Sequence, residues 1–204
     1  MTPGGAQALQ GHAQVALSEL LRYAQAGTSL AQAALAGAGN FELLRHYPER
    51  DVVDPVAQTR FYYHAHRRND PEHGHFHLFV EGPKPGDFAH LAALSLDVRG
   101  QPVRWFTTNR WVTAERWRPA DDMLPALRRF AVHARGRMAP VARWLTAMVR
   151  LYGDDIAVLL QARDARLAPL MAREGRDTVF ENRELEVLSE CPAQLPLKLA
   201  HMGM

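Results

Sequence analysis

Five of the ten histidines in this chain fall between positions 64 and 77, first as His64-Ala65-His66 and then as Glu72-His73-Gly74-His75-Phe76-His77. Neutral imidazole is a donor to divalent metals, and it can also carry a proton or attack as a nucleophile, so this density points to chemistry. Alternate residues of a strand share a face. Tyr62, His64 and His66 therefore lie together, opposite Phe61, Tyr63 and Ala65. On the second run His73, His75 and His77 lie together, opposite Gly74, Phe76, Leu78 and Val80. Asn69-Asp70-Pro71 between the runs is turn chemistry, so the two read as an antiparallel hairpin. Pairing the apolar faces forces the histidine faces together, and a one-residue slip would set histidine against phenylalanine. In that register His64 and His66 face His75 and His77, with Cβ atoms about 4.5–5.5 Å apart. Their nitrogens can then converge to the roughly 2.0–2.1 Å of a bound cation. So many protonated imidazoles would repel one another, and a metal ion removes that cost.

The expected metal ligands are His64, His66, His75 and His77, with Glu72 and His73 as further donors. Imidazole suits iron, zinc, nickel and copper alike; iron is the first expectation and the other three are alternatives. An open position on such an ion would activate water or dioxygen, giving a metal-dependent hydrolase or oxidoreductase acting on a small molecule. Tyr62 shares the face of His64 and is a candidate catalytic hydroxyl. A non-catalytic protein that binds a metal or a small ligand is the plainer alternative.

The run His73-Gly74-His75-Phe76-His77-Leu78-Phe79 also resembles the His-φ-His-φ-His-φ-φ motif of histidine-triad nucleotide hydrolases and transferases. That resemblance implies His75 as a catalytic nucleophile forming a nucleotidyl-histidine, with no metal. Gly74 departs from the motif, and His64 and His66 have no counterpart in it. The His-x-His spacing followed by Glu72 and a later histidine is similar to cupin-type metal sites, without their glycines. More broadly, His64-Ala65-His66-Arg67 and Glu72 to Phe79, together with Phe106-Thr107-Thr108-Asn109-Arg110-Trp111-Val112-Thr113, are similar to a bacterial family known only as domain of unknown function 6969. The similarity runs from about Phe41 onward and implies no activity.

Within Phe106 to Thr113, the polar and aromatic Asn109, Arg110 and Trp111 are candidate substrate-binding residues. Arg110 would grip a carboxylate or phosphate, and Trp111 would stack on a ligand. Asp97 is either a ligand or an acceptor orienting a histidine, or else a surface residue before a turn. His46, His133 and His201 stand alone and read as structural or surface groups.

The elements that must hold these residues form an α+β fold: about four antiparallel strands in a meander, packed with N-terminal and C-terminal helices in one domain spanning 1–204. The helical part covers 1–50, the meander 57–113 and a second helical part 119–204. Strands are expected at 58–67, 74–81, 89–98 and 103–112. An amphipathic helix should end near Gly27, with another beginning after Ser29 and a short one from Asn40 to Leu44. Beyond Pro119, helices should end at Gly136 and near 152, and a third, from Asp154, should bend or end at Pro169. Residues 179–199 suit either a strand or a helix.

Composition narrows the setting. With 47% hydrophobic and 23% charged residues the chain is an ordinary globular sequence, able to bury a core. A net charge of +2 with no basic stripe gives no sign of nucleic acid. Cys191 is the sole cysteine, which excludes an intramolecular disulfide and a thiolate cluster. No apolar run of membrane-spanning length and no leader-like N-terminus is present, so a cytoplasmic protein is expected. Oligomeric state is open.

Overall fold

The computed structural model describes residues 3–38, 40–65, 72–84 and 86–204. Among the described residues six strands form one antiparallel sheet in chain order: β1 (Tyr47–Asp54), β2 (Thr59–His64), β3 (Glu72–Glu81), β4 (Phe88–Asp97), β5 (Pro102–Thr108) and β6 (Val187–Pro192). The four expected strands are β2 to β5, and the sheet gains one strand at each edge. β1 is buried only at its two ends and carries Pro48, Glu49, Arg50 and Asp51, which an edge tolerates and a central strand does not. β6 returns to pair with β5 after the whole C-terminal helical section.

The helices are α1 (Pro3–Gln25), α2 (Leu30–Leu35), α3 (Arg110–Thr113), α4 (Ala120–Arg129), α5 (Ala139–Leu151), α6 (Gly153–Glu174), α7 (Arg176–Phe180) and α8 (Leu195–His201), with a 3₁₀ turn at Gly136–Met138. Ser29 caps α2, its side chain accepting the Gln32 N–H. Several boundaries differ from expectation. The segment from Asn40 to Leu44 forms no helix: Leu44 sits at φ 65° and its N–H bonds the Ala65 carbonyl. α4 ends at Arg129 rather than Gly136. β5 ends at Thr108, and Asn109 caps α3 where strand was expected. α6 continues through Pro169 to Glu174. Residues 179–199 hold the end of α7, then β6, then the start of α8. Among the described residues no helix is long and apolar enough to cross a membrane.

One face of the sheet carries Phe61, Tyr63, Phe76, Leu78, Leu94 and Trp105, and packs into the main hydrophobic core with Trp144 of α5. The other face carries Tyr62, His64, His75, His77, His90 and Phe106, and it too is buried. Strands covered on both sides normally read as continuous apolar runs, because buried polar groups are costly unless bonded. A buried face built of imidazoles is therefore the candidate site.

Two β-bulges decide which side chains reach that face. In the β3–β4 ladder Glu72 pairs with Asp97 and Gly74 with Leu96, so His73 is the extra residue. The bulge puts Glu72 on the histidine face and turns His73 toward the main core. Further along, Leu78 pairs with Ala92 but Phe79 with His90, leaving Leu91 extra. Strict alternation would put His90 beside Leu94 and Leu96. The bulge instead swings it across to His77, an example of a bulge re-aiming a side chain.

Gly74 is required by close approach. A Cβ there would lie 2.6 Å from both the His64 carbonyl oxygen and the Tyr63 hydroxyl. This steric demand explains the glycine that interrupts the otherwise apolar inner face of β3.

Candidate metal centre

His64 on β2 sits directly across from His75 on β3, and Tyr62 occupies the position across from His77. All three histidines are buried, His77 completely. One ring nitrogen from each lies within 4.8 Å of the others. Nε2 of His64 and Nε2 of His75 are 2.9 Å apart. Two imidazole nitrogens on one tetrahedral ion are separated by roughly 3.3 Å, so small rotations of these rings would close on a metal. The rings meet edge to face, with centroids 4.7 to 5.0 Å apart, an arrangement that aims nitrogens at a common point instead of stacking them.

The outer nitrogens of two of these rings are held. Nδ1 of His75 bonds Oε1 of Glu72, whose other oxygen accepts from Arg104 at 3.3 Å. Burial pushes the Glu72 carboxyl up, but the His75 bond and the Arg104 guanidinium more than offset this and hold it below its ordinary value. Glu72 is thus ionised and can only accept, so His75 donates to it from Nδ1, which turns its Nε2 toward the cluster. This carboxylate–histidine pairing is the one commonly found behind metal-bound imidazole. Nδ1 of His77 lies 2.9 Å from Nε2 of His90, whose own Nδ1 is 3.3 Å from the Thr108 hydroxyl. Complete burial drives His90 down to about 3, with smaller contributions from Arg163 and His75, so it is neutral at physiological pH. The His90 backbone N–H is accepted by Glu115, a fully buried carboxyl that burial pushes up to about 7.

A cavity of about 340 Å³ opens on His75 and His77. Phe106, Val112 and Val187 supply its apolar wall, and Glu72, Arg104, Thr108, Glu184 and Glu186 are among its polar groups. Such a volume admits a small organic molecule.

The remaining candidates are distributed around this centre. His66 and the turn residues Asn69, Asp70 and Pro71 lie outside the described residues. His73 meets the Tyr63 hydroxyl through Nδ1 at 2.6 Å and stacks near Phe41, away from His75 and His77. The shared face expected for His73, His75 and His77 is therefore broken by the bulge, and the histidine-triad run is split with it. Tyr62 packs edge-on against His64, and its phenol is raised well above its ordinary value by burial. Its ring stacks on His46 at 3.6 Å, so His46, read as an isolated group, in fact covers the site. Asn109 accepts the Arg110 N–H and donates to the Val179 carbonyl at 2.8 Å. Arg110 pairs with Glu181, and Trp111 donates to the Leu185 carbonyl at 3.0 Å. These three residues fasten α3 to the chain around 179–185, which continues into the cavity rim, while Thr108 and Val112 beside them line it. Asp97 accepts the N–H groups of Arg99 and Gln101 and shapes the β4–β5 turn.

His90 and Glu115 are the site residues that pattern reading missed. Alternation assigns His90 to the wrong face, and Glu115 lies outside any strand, so neither carried a legible signal.

No curated protein and no solved structure matches this chain. A family model described as a domain of unknown function (DUF6969) matches residues 10–193, extending well before Phe41 into the N-terminal helix. The histidine face, the cavity and the whole sheet fall within the match, and the chain belongs to the DUF6969 family.

Proposed function

We propose that this protein is a metal-dependent enzyme that holds one divalent transition metal through His64, His75 and His77 and acts on a small molecule in the adjoining cavity. The observation that carries the reading is the convergence of three buried imidazole nitrogens whose approach to a common point is supported from behind by Glu72 and His90. Three neutral ligands leave a coordination position open, and a metal bound there would supply Lewis acidity to water, or a binding site for dioxygen. Iron is the first expectation, with zinc, nickel and copper as alternatives, since imidazole suits all four. The cavity favours an enzyme over a metal store, because a closed structural site has no use for a void beside it.

The test is metal analysis of protein produced without a histidine tag, alongside His64→Ala and His75→Ala. Near-stoichiometric metal in the wild type, lost in both variants, is the expected result. Unchanged metal content in His64→Ala would overturn the reading and return attention to His75 as a nucleophile, to be sought as a phosphorylated or nucleotidylated residue.

A further inference from the structure

The two supported ligands are supported in different ways. His75 faces a carboxylate, which can only accept, so its tautomer is settled by one contact. His77 faces another imidazole, and an imidazole can accept or donate. The chain His77 Nδ1, His90 Nε2, His90 Nδ1, Thr108 Oγ1 can therefore run in two directions. In one, His77 donates from Nδ1 to His90, and His90 donates from its own Nδ1 to the threonine oxygen. That leaves the Nε2 lone pair of His77 for a metal. In the other, His90 donates from Nε2, and His77 must carry its proton on Nε2, where it blocks coordination.

We propose that Thr108 and His90 form a positioning relay that allows His77 to carry its proton on Nδ1 and so to serve as a metal ligand. This inference rests on the metal reading above and names the residues that tune it. The Thr108 hydroxyl can donate or accept, so it suits either direction, but only its oxygen offers an acceptor that lets His90 hold its proton on Nδ1 while His77 holds a metal at Nε2. Without that oxygen the Nδ1–H would be an orphaned donor in a fully buried ring, which proteins avoid more strictly than an unused lone pair. The proton then moves to Nε2 and the relay reverses. The sheet is built to make this contact: the bulge at Leu91 carries His90 across to His77, and the face shared by Arg104, Phe106 and Thr108 brings the hydroxyl to it.

The experiment uses Co²⁺ as the probe, titrated into wild type, Thr108→Val and Thr108→Ser and followed by visible absorption. Tautomers are read in the metal-free proteins by long-range ¹⁵N–¹H spectra of the histidine rings. Thr108→Val keeps the volume and removes the acceptor; its Co²⁺ dissociation constant should rise at least about tenfold, the lower end for loss of a partner behind a ligand. Thr108→Ser should restore affinity to within about twofold of wild type. His90 should populate the Nδ1-protonated form in wild type and Thr108→Ser, and only the Nε2-protonated form in Thr108→Val. A general packing defect would weaken both variants and leave the tautomer unchanged, and that result overturns the relay. Wild-type affinity in Thr108→Val overturns it as well. A wild type that takes up no Co²⁺ fails the metal reading instead, and the ring spectra then still judge the relay on their own.

Discussion

Replacing Glu115 by glutamine should remove a pH dependence from the stability of this protein. The Glu115 carboxyl is fully buried, and burial is the largest influence on it, lifting it from an ordinary 4.5 to about 7 against the His90 N–H and the charges of Arg163 and Arg110. A carboxyl raised in the folded state holds its proton there after the unfolded chain has released it. Between pH 4.5 and 7 the folded protein thus binds one proton more than the unfolded chain, and unfolding free energy falls as pH rises. The displacement corresponds to on the order of 3 kcal/mol, fully present below pH 4.5 and lost by the time pH passes 7. Other groups titrate over this range as well, so the quantity to measure is the difference between wild type and Glu115→Gln. Urea unfolding at intervals from pH 4.5 to 8.5 gives that difference directly. Glutamine adds a constant offset through its altered hydrogen bonding, but it does not ionise. The variant should gain about 3 kcal/mol relative to wild type across the interval. Parallel curves for the two proteins would refute the assignment, because they would mean that Glu115 has the same proton affinity in both states.

Gly74→Ala should cost about 2 kcal/mol or more, since the added methyl meets the His64 backbone oxygen and the Tyr63 ring and the hairpin must spread to admit it; thermal unfolding measures it, and an unchanged midpoint would contradict the close approach. The bulge at His73 makes a contrast between neighbours: Glu72→Gln should weaken metal binding about tenfold to a hundredfold in competition with a chromogenic chelator, while His73→Phe should leave it within about twofold. Equal losses would mean that His73 belongs to the site.

The hairpin was legible because its two faces differ so sharply in chemistry. Phe61, Tyr63, Phe76 and Leu78 can face only a core, and that requirement sets the parity of His64, His75 and His77. The four central strands follow from the same alternation. The edges were not legible: β1 is polar and contains a proline, and β6 is short and pairs with a strand some eighty residues earlier in the chain. The site was only partly legible, because both of its supporting residues depend on bulges. One extra residue at His73 exchanges a histidine for Glu72, and one at Leu91 brings in His90. A period-two pattern carries no mark of where an extra residue is absorbed, since bulge placement is settled by how the ladder as a whole packs. Asn109, Arg110 and Trp111 stood out correctly as unlike a core strand, but the polar run marks a helix cap and the ties that hold α3.

β3 has a hydrogen-bonded neighbour on each side and is buried along both faces from Gly74 to Val80. Amides in such a position exchange with solvent only when the whole sheet opens, so His75 and His77 lie in the slowest-exchanging part of the molecule. Among the described residues, the cavity between Glu72 and the 184–187 segment gives access to their side chains without any opening of the backbone beneath. Solvent deuterium and a ligand would reach the same two residues on unrelated timescales, the first limited by global unfolding and the second by side-chain motion at the cavity mouth.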